Sequence, residues 1–306
     1  MGKTGKILSC TLGFIALSMI CKTLTLDFDD KNLQKPAPIG SSWDTSELPT
    51  STPLPEMLNQ PYHFLGKGHQ AFAFLSEDGN YVLKLFKPHY PHLKIFGYKV
   101  DFTPIPFAKS LYRFLEQEKF QKKTDKDFRS YINAFSLFKE ESQLEYLHLS
   151  TTSNLNTILQ ISDPMNNPRH FNADKTCFLI QRRVDPFILT LGKWIEQGHL
   201  EQAKDALSQM AQLLAKRIDL GFIKSTNKIY ANFGFIGSRV IQLDIGRLLT
   251  AKDRGSPPST TQPYDVLHTS TYRLKNWLNK QSPELSNYFT QCIDDLIAGK
   301  AIENPS

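Results

Sequence analysis

Cysteine is scarce in this chain: 306 residues hold only four. Cys10 and Cys21 fall in an apolar N-terminal run, which leaves Cys177 and Cys292 for the folded part. No disulfide scaffold and no CxxC metal site can be built from that set, and both remaining thiols read as buried side chains. A strong charge excess is also missing. The formal charge is +6, but Lys3, Lys6 and Lys22 precede the first acid, Asp27, so the rest of the chain carries +3 from 33 basic and 30 acidic residues. Such a balance requires no polyanion, and no nucleic-acid partner is expected. With 40% hydrophobic and 22% charged residues, the composition excludes a multi-span membrane protein and a largely disordered one. One large or two small globular domains remain.

Charge is absent altogether from Ile7 to Cys21, and Lys22 is the one charge before Leu26. Behind the basic start at Lys3 and Lys6, residues 1–26 read as a signal sequence or an N-terminal membrane anchor, with residues 7–26 in the membrane. The small residues at Ala16-Leu17-Ser18 suit cleavage, whereas the length of the run, with Lys22 snorkelling, suits retention. Basic residues before the run and Asp27, Asp29 and Asp30 after it place the domain on the non-cytoplasmic side, anchored or secreted. Residues 27–60 carry Pro36, Pro38, Pro53 and Pro55 among Ser, Thr and Asp without an apolar period. They read as a flexible linker ahead of a domain spanning 61–306.

That domain opens with glycines inside an apolar stretch. Phe64 to Leu75 is apolar on both sides of Gly66 and Gly68, Glu77-Asp-Gly-Asn80 makes a turn, and Tyr81-Val-Leu-Lys-Leu-Phe86 follows. The pattern predicts three strands joined by tight turns. Backbone at Gly66 and Gly68 can approach a phosphate closely, and Lys84 is a cation on an apolar strand; a plain hairpin with a snorkelling lysine fits the same residues. Further on, an amphipathic helix near Leu200–Leu220 precedes two short strands, Asn232–Ile236 and Arg239–Leu243, joined by Gly237-Ser238. A hairpin of that size brings the amide oxygen of Asn232 and the carboxylate of Asp244 to one end, where hard oxygen ligands suit Mg2+.

Taken in order, these residues resemble the protein-kinase-like fold. Gly66-x-Gly68-x-x-Ala71 stands for the glycine loop, with alanine at the third glycine, and Val82-Leu83-Lys84 for the lysine strand. Phe135–Leu149 is expected as a helix that supplies a glutamate to Lys84, Glu140 fitting best and Glu141 next. Thr176–Pro186 looks like the fifth strand and hinge, where Gln181 and Arg182 meet an adenine through the backbone. Asn232 matches the catalytic-loop asparagine and Asp244-Ile245-Gly246 the D-F-G triplet. The resemblance implies an α+β, two-lobed fold with a small β-rich N-lobe, about 61–180 with an insertion at 88–134, and a reduced helical C-lobe, about 187–306. It implies ATP and Mg2+ as ligands, Gly66, Gly68, Lys84, Glu140, Gln181 and Arg182 as nucleotide contacts, and Asn232 and Asp244 as metal ligands.

The departures from the pattern decide the function. The aspartate of H-R-D-x-x-x-x-N falls on Asn227, and Ser225 and Thr226 stand for its histidine and arginine. Asparagine can hydrogen-bond a hydroxyl but cannot take its proton at neutral pH, so Lys84 and Asn227 are the candidate catalytic pair of a site without its base. Lys224 and Lys228 flank the loop as solvent-facing charges. No A-P-E follows Gly246, and only two helical stretches remain, near Tyr264–Lys280 and Pro283–Lys300. Within the insertion a helix is expected near Phe107–Lys122, its apolar face packed. His89 and His92, bracketed by prolines, read as surface histidines rather than metal ligands. The expectation is a pseudokinase-type module that binds nucleotide or scaffolds an unknown protein partner. The alternative is an atypical Mg-ATP-dependent phosphotransferase, since positioning and charge carry much of phosphoryl transfer.

Overall fold

The structure is a computed structural model, and it describes residues 28, 33–38, 40–45, 48–49, 53–88, 92–95, 98–101, 117–222, 232–254, 264 and 266–299. It is α+β. The chain forms two compact units, one of Met1–Asp125 with Glu145–Ile180 and one of Lys126–Leu144 with Gln181–Ser306.

In the first unit a short helix, α1 (Leu54–Leu58), leads into β1 (Tyr62–Lys67), β2 (Ala71–Ser76) and β3 (Tyr81–Phe86), paired antiparallel in succession. The three strands fall where glycine, Asp-Gly and apolar alternation predict them. Phe72 and Phe74 of β2 and Leu83 and Leu85 of β3 point into one core, while Ala71, Ala73, Val82 and Lys84 lie on the other face. A hairpin of β4 (His92–Ile95) and β5 (Tyr98–Asp101) follows. Along the chain come α2 (Gln117–Leu137) and α3 (Lys139–Ser142), of which Lys126–Ser142 belongs to the second unit, and then β6 (Leu144–His148), β7 (Ile158–Ser162), β8 (Pro168–Asn172) and β9 (Phe178–Arg182). Seven strands make one mixed sheet in the order β6-β9-β3-β2-β1-β7-β8, with β1 and β7 parallel.

Of the helix expected near 107–122, residues 117–122 lie in α2, which continues to Leu137, and residues 102–116 lie outside the described residues. The helix expected over 135–149 is corrected. It gives way to the single turn of α3, which ends at Gln143 in the left-handed region (φ 49°) and hands over to β6. All five residues of β6 are buried. A strand covered on both faces has no polar alternation to mark it, so its apolar spacing passes for a helical one.

The described residues between 27 and 60, read from sequence as a flexible linker, are packed onto the first unit. The Phe28 ring meets Phe72 and Phe74 edge-on at 5.0 and 5.6 Å. Ala37 bridges Ser150, the Thr45 hydroxyl accepts from the Leu149 amide at 3.1 Å, and Met57 and Leu58 enter the core. Single apolar anchors set among prolines fasten a strap without producing a period.

The second unit continues from β9 through β10 (Asp185–Pro186), α4 (Phe187–Glu196), α5 (Leu200–Asp219), β11 (Phe233–Ile236), β12 (Arg239–Gln242), α6 (Ala251–Arg254), α7 (Val266–Gln281) and α8 (Pro283–Ile297). β10, β11 and β12 form a three-stranded sheet. Ala203, Leu207, Met210, Ala211 and Leu214 of α5 recur at helical spacing and are buried with Phe233, Phe235, Leu274 and Phe289. Ser282 caps α8 by accepting from the Leu285 amide, with Pro283 in the first turn. Among the described residues no helix is long and apolar enough to cross a membrane, and residues 1–27 lie outside them.

Candidate functional site

The glycine hairpin and the strand lysine share one face of the large sheet. Gly66 pairs with Ala73, and Ala73 pairs with Lys84, so the three stand in a row across β1, β2 and β3. At the usual strand spacing Gly66 and Lys84 are about 10 Å apart. A β-bulge between Phe64 and Gly66 breaks the ladder just before the glycine. The turn is closed by the Gly68 amide donating to the Ala71 carbonyl at 2.9 Å and by the Lys87 ammonium donating to the Gly68 carbonyl at 2.6 Å. A Cβ placed on Gly66 meets nothing within 4 Å, and one on Gly68 touches only the Ala71 carbonyl at 3.4 Å. Packing among the described residues therefore does not require glycine at 66.

The hairpin of β11 and β12 brings Asn232 and Asp244 to one end. The Leu243 amide donates to the Asn232 carbonyl at 2.6 Å, one step beyond the Phe233–Gln242 pair. Asp244 is exposed, and its Oδ1 accepts from the Gly246 amide at 3.1 Å. Among the described residues Asp244 Oδ2 and the side-chain amide of Asn232 make no hydrogen bond, so two hard oxygens are uncommitted at this end. That donor set fits Mg2+, which takes few protein ligands and fills its shell with water or phosphate. No group of three or more His, Cys, Asp or Glu is gathered to hold a metal among the described residues.

The backbone around Asp244 is fixed from several sides. The Gln242 side-chain amide donates to the Asp244 carbonyl at 2.9 Å. Gln181, buried at the end of β9, donates to the Ser142 carbonyl at 2.5 Å and to the Gln242 carbonyl at 3.3 Å. Arg182 donates its backbone amide to the Gln143 carbonyl at 2.9 Å. The Ser130 hydroxyl of α2 donates to the Ile245 carbonyl at 2.5 Å and accepts from the Leu248 amide at 2.6 Å. Three residues on, Asn133 reaches the Leu248 carbonyl and Asp253. Gly234 is required by the packing here, because a Cβ would lie 2.5 Å from the Asp185 carbonyl oxygen.

The two candidate glutamates sit on α3 with cations of their own unit. Glu140 is 74% exposed and lies 3.7 Å from Arg239. Glu141, only 12% exposed, is paired with Lys216. A third glutamate escaped the sequence reading. Glu145 is buried to 6% on β6, and strand alternation puts it on the face opposite the core, the face that also carries Lys84. Asn227, Lys224 and Lys228 lie outside the described residues, as does His89. Cys177 and Cys292 are buried free thiols.

Two buried side-chain atoms are orphaned among the described residues: Arg217 Nε and Gln242 Oε1. Both belong to the surroundings of Asp244, since Gln242 holds its carbonyl and Asp244 is the charge that acts on the Arg217 guanidinium. Burial pushes Arg217 down to about 10, and the Asp244 carboxylate partly opposes this. Orphaned buried groups are rare in folded proteins and mark places where a ligand, water or ion belongs. The sequence reading of the helix near Leu200–Leu220 did not single out Arg217. Its spacing from Met210 and Leu214 was the signal, because it places Arg217 on the buried stripe. No protein-family model matches the chain, and no curated protein matches it.

Proposed function

We propose that the chain is a kinase-like nucleotide-binding module of pseudokinase type, tethered to a membrane or exported by residues 7–26. The observation that carries this reading is the pair of uncommitted oxygens on Asn232 and Asp244 at the end of a short hairpin. Element order supports it as well. A G-x-G hairpin, a strand lysine, a strand running into a short connector, two helices, and a hairpin flanked by asparagine and aspartate follow one another in the order the resemblance implies, without the long glutamate helix expected over 135–149.

In this reading Gly66 and Gly68 let backbone approach a phosphate, Lys84 neutralises phosphate charge, and Asn232 with Asp244 holds Mg2+. When bound there, Mg2+ would supply positive charge to offset that of a phosphate. The loop residue that would take a hydroxyl proton is Asn227, which cannot act as a base. Nucleotide binding, with a protein partner as the recipient of the signal, is therefore the function. The uncommitted Asp244 Oδ2 favours one second reading, an atypical phosphotransferase on an unknown acceptor, because metal positioning contributes much of the rate in phosphoryl transfer.

Thermal unfolding of the full chain with ATP alone, Mg2+ alone and both tests the proposal. A rise that needs both ligands and disappears in Asp244→Ala is expected, since a ligand that binds only the folded state raises its stability by mass action. No rise in the wild type, or an equal rise in Asp244→Ala, rejects it.

A further inference from the structure

Arg217 occupies a position that packing alone assigns to an apolar side chain. On α5 the buried stripe runs through Ala203, Leu207, Met210, Ala211, Leu214 and Ile218, and Arg217 lies in it with 7% of its surface exposed. Arginine is almost never buried to this degree without a partner. Among the described residues the Nε–H has none, and no carboxylate there is ion-paired with the guanidinium. The nearby acids are engaged elsewhere. Glu141 is paired with Lys216, Glu140 faces Arg239 at 3.7 Å, and Asp219 accepts from the Tyr264 hydroxyl at 2.6 Å. Asp244 is left as the anion whose field Arg217 feels, yet its Oδ1 is given to the Gly246 amide. The guanidinium is a desolvated cation whose Nε–H is matched by nothing among the described residues.

A planar guanidinium in that condition is suited to a tetrahedral oxyanion, which it can engage through two parallel N–H donors. We propose that Arg217 is an oxyanion-binding residue, whose guanidinium takes a phosphate group beside Asp244. The assignment deepens the proposed nucleotide reading and rests on it for the identity of the phosphate as part of a nucleotide. The oxyanion chemistry itself stands on Arg217 alone. Arg217 then serves a ligand at the expense of the fold: a buried unpaired charge destabilises the free chain, and the anion relieves it.

The full chain tests this by thermal unfolding without Mg2+, in EDTA, with sodium phosphate against sodium chloride at equal ionic strength and, separately, with ATP. Wild type gains a phosphate-dependent rise. Arg217→Met, which keeps the length of the side chain and removes its charge, unfolds at a higher temperature than wild type without ligand, and binds phosphate about tenfold more weakly or not at all. Arg217→Lys, a point charge without the fork, retains part of the phosphate response. A lower ligand-free midpoint in Arg217→Met, including a failure to fold, marks a structural cation and overturns the proposal. An equal phosphate response in wild type and Arg217→Met, or none in wild type, overturns it as well. A response to phosphate with none to ATP, with or without Mg2+, upholds Arg217 while rejecting the nucleotide reading.

Discussion

Ser130 holds Ile245 by its carbonyl at 2.5 Å and, with the same hydroxyl, accepts the Leu248 amide at 2.6 Å. One fully buried side chain of α2 thus fixes both ends of the turn that follows Asp244. Removing it leaves a buried carbonyl and a buried amide unpaired, each costing about 1–3 kcal/mol. Ser130→Ala is expected to lower the denaturant midpoint and, beyond that, to raise the Mg2+ concentration needed for ATP binding. Thr271→Val serves as the control, since Thr271 spends its hydroxyl on the Leu267 carbonyl within α7. If both variants lose Mg2+ response in proportion to stability, Ser130 has no positioning role.

Two glycines separate a packing requirement from a ligand requirement. Gly234→Ala drives a Cβ into the Asp185 carbonyl and the Val184 side chain, an overpacking that costs about 1–3 kcal/mol. Gly66→Ala meets open space and is expected to change stability by less than about 0.5 kcal/mol, while weakening nucleotide binding several-fold. Chemical denaturation and ATP titration of the two variants check this. Unchanged ATP affinity in Gly66→Ala would remove the glycine turn from the site.

Acid is expected to destabilise the first unit through His148. Its ring is fully buried, stacked on Phe178 at 5.1 Å, with Nδ1–H donating to the Thr176 carbonyl at 2.7 Å and Nε2 at 3.0 Å from the Thr152 hydroxyl oxygen. Burial pushes the imidazole below its ordinary value, against the opposing pull of the Thr176 carbonyl and of Asp174 and Asp44. The unfolded chain therefore takes up a proton near pH 6.5, before the folded one does. This contribution to stability is full above about pH 6.5 and is lost as pH falls through the folded value. Asp174 adds a second loss at lower pH. Burial works to raise it, but the Thr152 hydroxyl and the Leu155 and Asn156 amides outweigh burial and hold it below the usual carboxylate range. Denaturant midpoints measured from pH 7.5 to 5 should fall in wild type and flatten in His148→Gln. The same slope in both would place the titrating group elsewhere.

The buried glutamate of β6 and the exposed one of α3 make opposite predictions. Glu140→Gln removes a 74% exposed carboxylate and is expected to cost less than about 0.5 kcal/mol. Glu145→Gln changes a side chain buried to 6% and is expected to cost more and to weaken ATP binding, because it lies on the sheet face of Lys84. Equal, small effects would return the weight to Glu140.

Local signals made much of this chain legible. Asp78-Gly79 and the alternation of Phe72 and Phe74 mark the first hairpin, Gly237-Ser238 the second, and the stripe from Leu200 to Leu214 a helix, because each depends on residues close in sequence. The same hairpin signal placed Asn232 and Asp244 at one end. What escaped depends on tertiary context. Leu144–His148 reads as helix because burial on both faces erases alternation, and the left-handed turn at Gln143 is not a glycine. Phe28, Met57 and Leu58 anchor a strap whose prolines resemble a tether. Arg217 was not singled out, because an arginine in an amphipathic helix shows its burial only through its neighbours along the stripe.

The most direct test is the affinity of the full chain for ATP, measured by calorimetric titration across a series of Mg2+ concentrations, in wild type, Asn232→Ala and Asp244→Ala. Two hard oxygens acting together on a metal-bound phosphate predict a wild-type affinity that rises with Mg2+, and variants whose weaker affinity no longer depends on it. A wild-type affinity indifferent to Mg2+, or variants that follow the wild-type dependence, would contradict the site.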